Sequence, residues 1–211
     1  MVKCIKVLIV LVVALYVLTV QNLLAAAHEP EIAEFAVTFG AQTGPFEMGT
    51  GWYMAGEVGL PLIKFSSGKI MGLINIGMSS SEEDITVEPT VGPTQTTIDL
   101  TTVAIVLGLK YKHTTHPIIQ PFVLAGPGID IFFNDTEPGD LPGAIAPQPE
   151  EIRDRGFPGG QGNVELGLHV GGGIDINITE KIFIGAEGRF NWVDRDNGSY
   201  GTYGGRLGFR F

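Results

Sequence analysis

The sequence predicts an all-β fold: eight antiparallel strands wound up and down into a closed transmembrane β-barrel. Three observations predict it. Eight segments alternate apolar and polar residues with period 2, the pattern of a strand with one face toward apolar surroundings and one toward polar ones. Beyond residue 27 no apolar run reaches the 18 residues that mark a candidate spanning helix. The connections between the segments also sort by length, short ones alternating with long ones, as in a membrane barrel of even strand number.

The first 27 residues stand apart. Lys3 and Lys6 give a positive start, Val7 to Val20 is an almost unbroken apolar run, and Ala25-Ala26-Ala27 offers the small residues of a cleavage site. This is the organisation of a secretory signal peptide, and its apolar run is shorter than the ~20 residues of a spanning helix. The expected division is a signal peptide over 1–27 and one barrel domain over 28–211. Cys4 is the only cysteine, and it precedes the apolar run. It would leave with the signal, so the 184 remaining residues carry no disulfide framework.

The strands follow in order. The first, Ile32 to Thr43, sets Phe35, Val37, Phe39 and Ala41 against Glu34, Ala36, Thr38, Gly40 and Gln42. The second, Gly51 to Phe65, sets Trp52, Met54, Val58, Leu60 and Leu62 against Tyr53, Ala55, Glu57 and Gly59. The third, Lys69 to Ser79, opposes Ile70, Ile74, Ile76 and Met78 to Asn75 and Gly77. In the fourth, Thr97 to Lys112, Val103, Ile105, Leu107, Leu109 and Tyr111 read as outward, with Thr102, Ala104, Gly108 and Lys110 inside. The fifth, Pro117 to Phe133, opposes Val123, Ala125, Ile129, Ile131 and Phe133 to Gln120, Gly126, Gly128 and Asp130.

The sixth is the most regular. Val164, Leu166, Leu168, Val170, Ile174, Ile176 and Ile178 alternate with Glu165, Gly167, His169, Gly171, Gly173, Asp175 and Asn177. The seventh, Lys181 to Val193, places Ile182, Ile184, Ala186, Phe190 and Trp192 opposite Gly185, Glu187, Arg189 and Asn191. The eighth closes the chain, with Tyr203, Leu207, Phe209 and Phe211 of one parity and Thr202, Arg206 and Arg210 of the other. Each segment can supply the ~9–11 tilted residues of a membrane strand. In lipid only closure satisfies every backbone N–H and C=O, so the eight imply a closed barrel. Trp52, Tyr111, Phe133, Trp192, Tyr203 and Phe211 fall near strand ends, where interfacial aromatics belong.

Connections two, four and six are short: Ser66-Ser67-Gly68, His113 to His116, and Thr179-Glu180. Connections three and five are long: Ser80 to Thr96 and Asn134 to Gln161. Both are acidic. The first carries Glu82, Glu83, Asp84 and Glu88; the second carries Asp135, Glu137, Asp140, Glu150, Glu151 and Asp154. Neither has the spacing of an EF-hand, and no metal site or cofactor is expected. Without 1–27, which hold two of the 13 basic residues and no acid, the balance is −12. That acidity argues against nucleic acid as a partner. The 30 glycines are spread through the strands, and a narrow barrel needs them where inward side chains would collide. Gly126-Pro127-Gly128-Ile129-Asp130 and Gly171-Gly172-Gly173-Ile174-Asp175 look like phosphate-cradling loops, but no helix follows either one to complete the cradle.

The segments Gln120 to Asp130, Leu168 to Ile176 and Ile184 to Phe190, with the aromatic strand ending at Phe211, resemble the small bacterial outer-membrane β-barrel proteins. This is the OmpA/OmpX-like and porin-like group, and the resemblance runs over all of 28–211. It implies residence in the bacterial outer membrane, contact with outer-membrane lipid and lipopolysaccharide, and delivery by the barrel assembly machinery. That machinery would read the last strand through Phe209 and Phe211. The chain is expected to differ from full-length OmpA, with no peptidoglycan-binding domain after the barrel.

An eight-stranded barrel is just wide enough for its own side chains to fill, and charges in that space must pair. Inward parity collects Glu34, Glu57, Lys110, Asp130, Glu165, His169, Asp175, Glu187, Arg189, Arg206 and Arg210. The expectation is a charge network of Glu57, Lys110, Glu187, Arg189 and Arg206 that plugs the lumen. The function expected is then structural or surface-interacting. One alternative is a narrow porin-like channel for small solutes. A second is a lipid-modifying barrel enzyme that uses His169 beside Glu165, although no serine lies on a strand next to it and no catalytic set is assigned.

Overall fold

The computed structural model describes residues 33–44, 49–87, 94–136, 161–194 and 198–211. The expected signal peptide lies outside the described residues. All regular elements among those described are strands: β1 (Glu34–Thr43), β2 (Thr50–Lys64), β3 (Gly68–Val87), β4 (Thr94–His113), β5 (Ile119–Thr136), β6 (Gln161–Asn177), β7 (Ile182–Val193) and β8 (Tyr200–Arg210). They pair in sequence order, every pair antiparallel, and β1 closes onto β8 from Glu34↔Arg210 to Gln42↔Thr202. The result is a closed eight-stranded up-and-down barrel.

Closure follows from the alternation. Outward side chains remain exposed along the walls: Phe39, Trp52, Leu107, Val123, Leu166, Ile184, Phe190, Trp192 and Leu207 are all open to the surroundings. Their inward neighbours Thr38, Tyr53, Val106, Phe122, Phe183, Arg189 and Arg206 are buried. A fold that exposes its largest apolar side chains and buries its charges suits a hydrocarbon surround. Val58 keeps its outward parity yet is buried, because Phe35 and Ile74 stand opposite it on the two neighbouring strands. The register of β2 shifts between Pro61 and Ile63, and Leu62 and Ile63 both become exposed just before the turn.

Beyond its polar residues the lumen holds apolar side chains that the alternation left unassigned. Leu73, Phe122 and Leu124 form a buried cluster, and Met71, Val106 and Phe183 are also enclosed. Glycines make room for the rings. A Cβ at Gly208 would strike the Phe183 ring, one at Gly173 would lie 2.7 Å from the Phe122 ring, and one at Gly77 would lie 3.1 Å from the Tyr53 ring. Inward glycine opposite inward aromatic is how a narrow barrel admits large rings without bending its wall.

The long connections need correction. The stretch Ser80 to Thr96 is largely strand: β3 continues to Val87 and β4 begins at Thr94, paired without a break from Ser80↔Thr101 to Val87↔Thr94. The stretch Asn134 to Gln161 likewise gives its first three residues to β5 and its last to β6. The physical reason is that alternation is imposed only where lipid touches the wall. Beyond the membrane a hairpin continues on backbone pairing alone, and Glu82, Glu83 and Asp84 then read as loop. The short connections 65–67, 114–118 and 178–181 lie at one end of the barrel, with Ala33 and Phe211.

Candidate functional site

The polar lumen is the candidate site. At mid-height β2, β4, β7 and β8 each send a charged side chain inward, and those charges meet. Glu57 accepts from Lys110 Nζ, from Arg189 Nη2 at 2.8 Å and from Arg206 Nη2 at 3.0 Å. Glu187 accepts from Arg189 Nε at 2.5 Å and from Arg206 Nη1 at 2.6 Å. All five sequence-predicted network residues are thus in direct contact, and each is buried. The register explains the meeting. Glu187 and Arg189 share the inward face of β7, and Arg206 stands opposite Gly185 on β8, so both guanidiniums flank the Glu187 carboxylate.

Asp175 on β6 joins this layer to a second one nearer the short turns. One carboxylate oxygen lies 3.2 Å from Arg206 Nε and the other 2.7 Å from Lys112 Nζ. Lys112 also donates to Glu34, which receives Lys69 Nζ at 2.9 Å and Arg210 Nε at 3.1 Å. Arg210 spends its remaining donors on neutral acceptors: Gln120 Oε1 at 3.0 Å, Asn177 Oδ1 at 2.7 Å and the Glu180 carbonyl at 3.4 Å. Rings separate the cations. Phe122 lies under Lys110 Nζ (4.8 Å) and Arg206 Cζ (4.6 Å), and Phe183 lies under Lys112 Nζ (4.6 Å) and Arg210 Cζ (4.9 Å). These are cation–π distances. The sequence reading missed Lys69, Lys112, Phe122 and Phe183, although parity could have found Lys112, two residues beyond the inward Lys110.

His169 occupies a third group toward the long connections. Its Nδ1 lies 2.6 Å from Asn191 Oδ1 and its Nε2 lies 3.2 Å from Asp130 Oδ2, while Tyr200 donates its hydroxyl to Asp130 Oδ1 at 2.6 Å. Gly128 and Gly167 leave the space the imidazole fills; a Cβ on Gly167 would lie 2.6 Å from Asp130 Oδ2. Glu165 stands opposite Asp130 across β5 and β6, and the contacts made by His169 are with Asp130 and Asn191. A chamber of about 10 Å³ borders this group, lined by Tyr53, Asn75, Ser79, Thr102 and Thr202 among others. Ser79 of β3 therefore shares a wall with His169 across the lumen, which strand adjacency did not anticipate. The chamber has room for roughly one water, and no acyl or peptide group could enter it.

At the short-turn end the lumen opens into a vestibule of about 620 Å³ lined by Lys64, Lys69, Gln120, Asn177, Glu180 and Arg210 among others. The two ion-paired layers stand between this vestibule and the small chamber. Among the described residues no group of three or more His, Cys, Asp or Glu side chains could hold a metal ion.

No protein-family model matches the sequence, and no curated protein matches it. Solved structures do match in shape. The crystal structure of Neisserial surface protein A (NspA) aligns over 85% of this chain and 96% of its own at 13% identity, with a TM-score of 0.51. Ail, the attachment invasion locus protein of Yersinia pestis, covers 85% and 97% at 11% identity and a TM-score of 0.47. The outer membrane enzyme PagL covers 84% and 98% at 14% identity and a TM-score of 0.46. The likeness to NspA carries the fold comparison: this chain has the fold of the small eight-stranded outer-membrane barrels.

Proposed function

We propose that the chain is an outer-membrane barrel of the bacterial cell that does not conduct. Its role is structural or surface-interacting, exercised through the long connections on the outside while the short turns face the periplasm. The single observation that carries this reading is the mid-height layer in which Glu57 and Glu187 bind Lys110, Arg189 and Arg206. Ions passing along the lumen would have to break these pairs, and an uncompensated buried charge costs several kcal/mol. Phe122 and Phe183 occupy the space beside the charges, against Lys110, Arg206, Lys112 and Arg210. On this reading outer-membrane lipid and lipopolysaccharide surround the wall, and the barrel assembly machinery takes the chain by the Phe209–Phe211 end. The lipid-modifying alternative is disfavoured because His169 is 1% exposed and faces a chamber of about 10 Å³.

The experiment is planar-bilayer conductance. The wild type is expected to show little steady current, and a Glu57→Gln/Glu187→Gln double variant more of it. Stable, reproducible wild-type channels whose selectivity alone changes in the double variant would replace this reading with the narrow-channel one.

A further inference from the structure

The lumen charges are segregated along the barrel axis. The connected network near the short turns contains Lys69, Lys110, Lys112, Arg189, Arg206 and Arg210 against Glu34, Glu57, Asp175 and Glu187. That is six cations on four carboxylates. The acids that would balance them, Asp130 and Glu165, stand opposite each other toward the other end. Part of the excess lies at the vestibule, where Lys69, Lys112 and Arg210 meet Glu34 and Asp175. Among the described residues Lys69 and Arg210 have Glu34 as their one carboxylate partner, and Glu34 is already shared with Lys112. Lys64 adds an exposed cation at the rim. Among the described residues the acid on the vestibule wall is Glu180, exposed at the turn, whose backbone carbonyl meets Arg210.

Unused donors gather there as well. The Lys69 ammonium carries three N–H donors and gives one to Glu34. Gln120 spends its oxygen on Arg210, which leaves its NH₂ to donate. Thr179 Oγ accepts from the Lys181 and Ile182 N–H groups, which leaves its O–H to donate. Lys69 and Arg210 keep only 16% and 8% of their side chains exposed. Their charge is therefore held in a concave, low-dielectric wall that focuses the field into the cavity.

We infer that this vestibule binds a compact small-molecule anion carrying two or more negative charges, a phosphate ester or a polycarboxylate, between Lys64, Lys69 and Arg210. Three cations on the cavity wall, of which Lys69 and Arg210 share Glu34 with Lys112, suit an anion of two or more charges. The volume of about 620 Å³ falls in the range of small-molecule sites, so the ligand is an organic anion of sugar-phosphate or di- to tricarboxylate size. The site is reached from the short-turn side and does not depend on whether the lumen conducts.

The test is titration calorimetry on the full chain folded in zwitterionic detergent at low salt, with pyrophosphate and citrate as probes and acetate as the monovalent control. Saturable one-to-one binding of pyrophosphate or citrate is expected with a dissociation constant below about 1 mM, and none of acetate. Tighter binding of pyrophosphate assigns the site to phosphate esters; tighter binding of citrate assigns it to polycarboxylates. The Lys64→Gln/Lys69→Gln variant should lose about tenfold in affinity, and Lys181→Gln, which removes a charge at the same end but outside the cavity wall, should lose none. If the double variant does not fold, Lys64→Gln alone, at an exposed position, should lose about threefold. Absence of saturable binding up to about 10 mM of either probe overturns the inference. An equal loss in Lys181→Gln overturns it too, since it shows attraction to the general charge of that end.

Discussion

At the residue scale the molecule is governed by the cost of burying charge. Glu57 satisfies three cations and Glu187 two, so neutralising both acids strands Lys110 and Arg189 inside the barrel and leaves Arg206 with Asp175. Removing one side of a buried ion pair typically costs about 3–5 kcal/mol. The Glu57→Gln/Glu187→Gln double variant should therefore unfold at lower urea in lipid vesicles, with a loss of a few kcal/mol. A change below about 0.5 kcal/mol, the size of an ordinary surface substitution, would show that the layer is not what holds the lumen closed. Glycine acts at the same scale but by subtraction. Gly167 carries no Cβ because Asp130 Oδ2 would be only 2.6 Å away. Gly167→Ala should push Asp130 off His169 and cost about 1–3 kcal/mol, as overpacking does, read by the same unfolding titration.

At the element scale the strands divide into those that lipid shapes and those that it does not. The last strand, β8, closes the barrel on β1, and its outward Leu207 and Phe209 and the following Phe211 stay exposed to the surroundings. Phe211→Lys would place a charge at that apolar edge. The expected outcome is impaired outer-membrane assembly with secretion into the periplasm intact, measured by fractionation and surface protease accessibility. Normal surface accumulation would remove Phe211 from any assembly role. The β3–β4 hairpin behaves differently. From Asp84↔Thr97 to Val87↔Thr94 it pairs, among the described residues, only with itself, because the β5 partners of β4 end at Thr136↔Ile98. Replacing 84–97 by a short turn removes no interstrand pair of the closed barrel. It should leave barrel stability within about 0.5 kcal/mol of the wild type, as measured by urea unfolding.

At the scale of the whole molecule the distribution of surfaces makes a single prediction. A barrel whose exposed wall is Phe39, Trp52, Leu107, Val123, Leu166, Trp192 and their neighbours cannot remain a monomer in water, because so large an exposed apolar area drives association. Residues 28–211 should need detergent or lipid to fold. It should then give a β-rich circular dichroism spectrum and migrate on unheated gels as a compact species distinct from the boiled one. Folding as a soluble monomer without detergent, or a helical spectrum, would contradict the membrane barrel.

The period-2 alternation, running through all eight segments, determined the strand count and the face on which nearly every residue lies, and the sorting of connection lengths determined the antiparallel order. It does so because a lipid-facing wall forces apolar residues onto every second position, a local demand written residue by residue. The same parity placed Glu57, Lys110, Glu187, Arg189 and Arg206 inside. It could not say which of them touch, because partners such as Glu57 and Arg206 lie 149 positions apart and meet only once the sheet has closed with its particular stagger. Closure also decided that Asp175 ties two layers together, that Phe122 and Phe183 lie between cations, and that Ser79 looks across at His169. The outer reach of β3 and β4 was hidden for the opposite reason. Past the membrane no apolar face is required, so backbone pairing continues with no signature in the sequence. What only the tertiary structure decided is everything that depends on distance across the lumen, since alternation records the face a side chain takes but never its height along the axis.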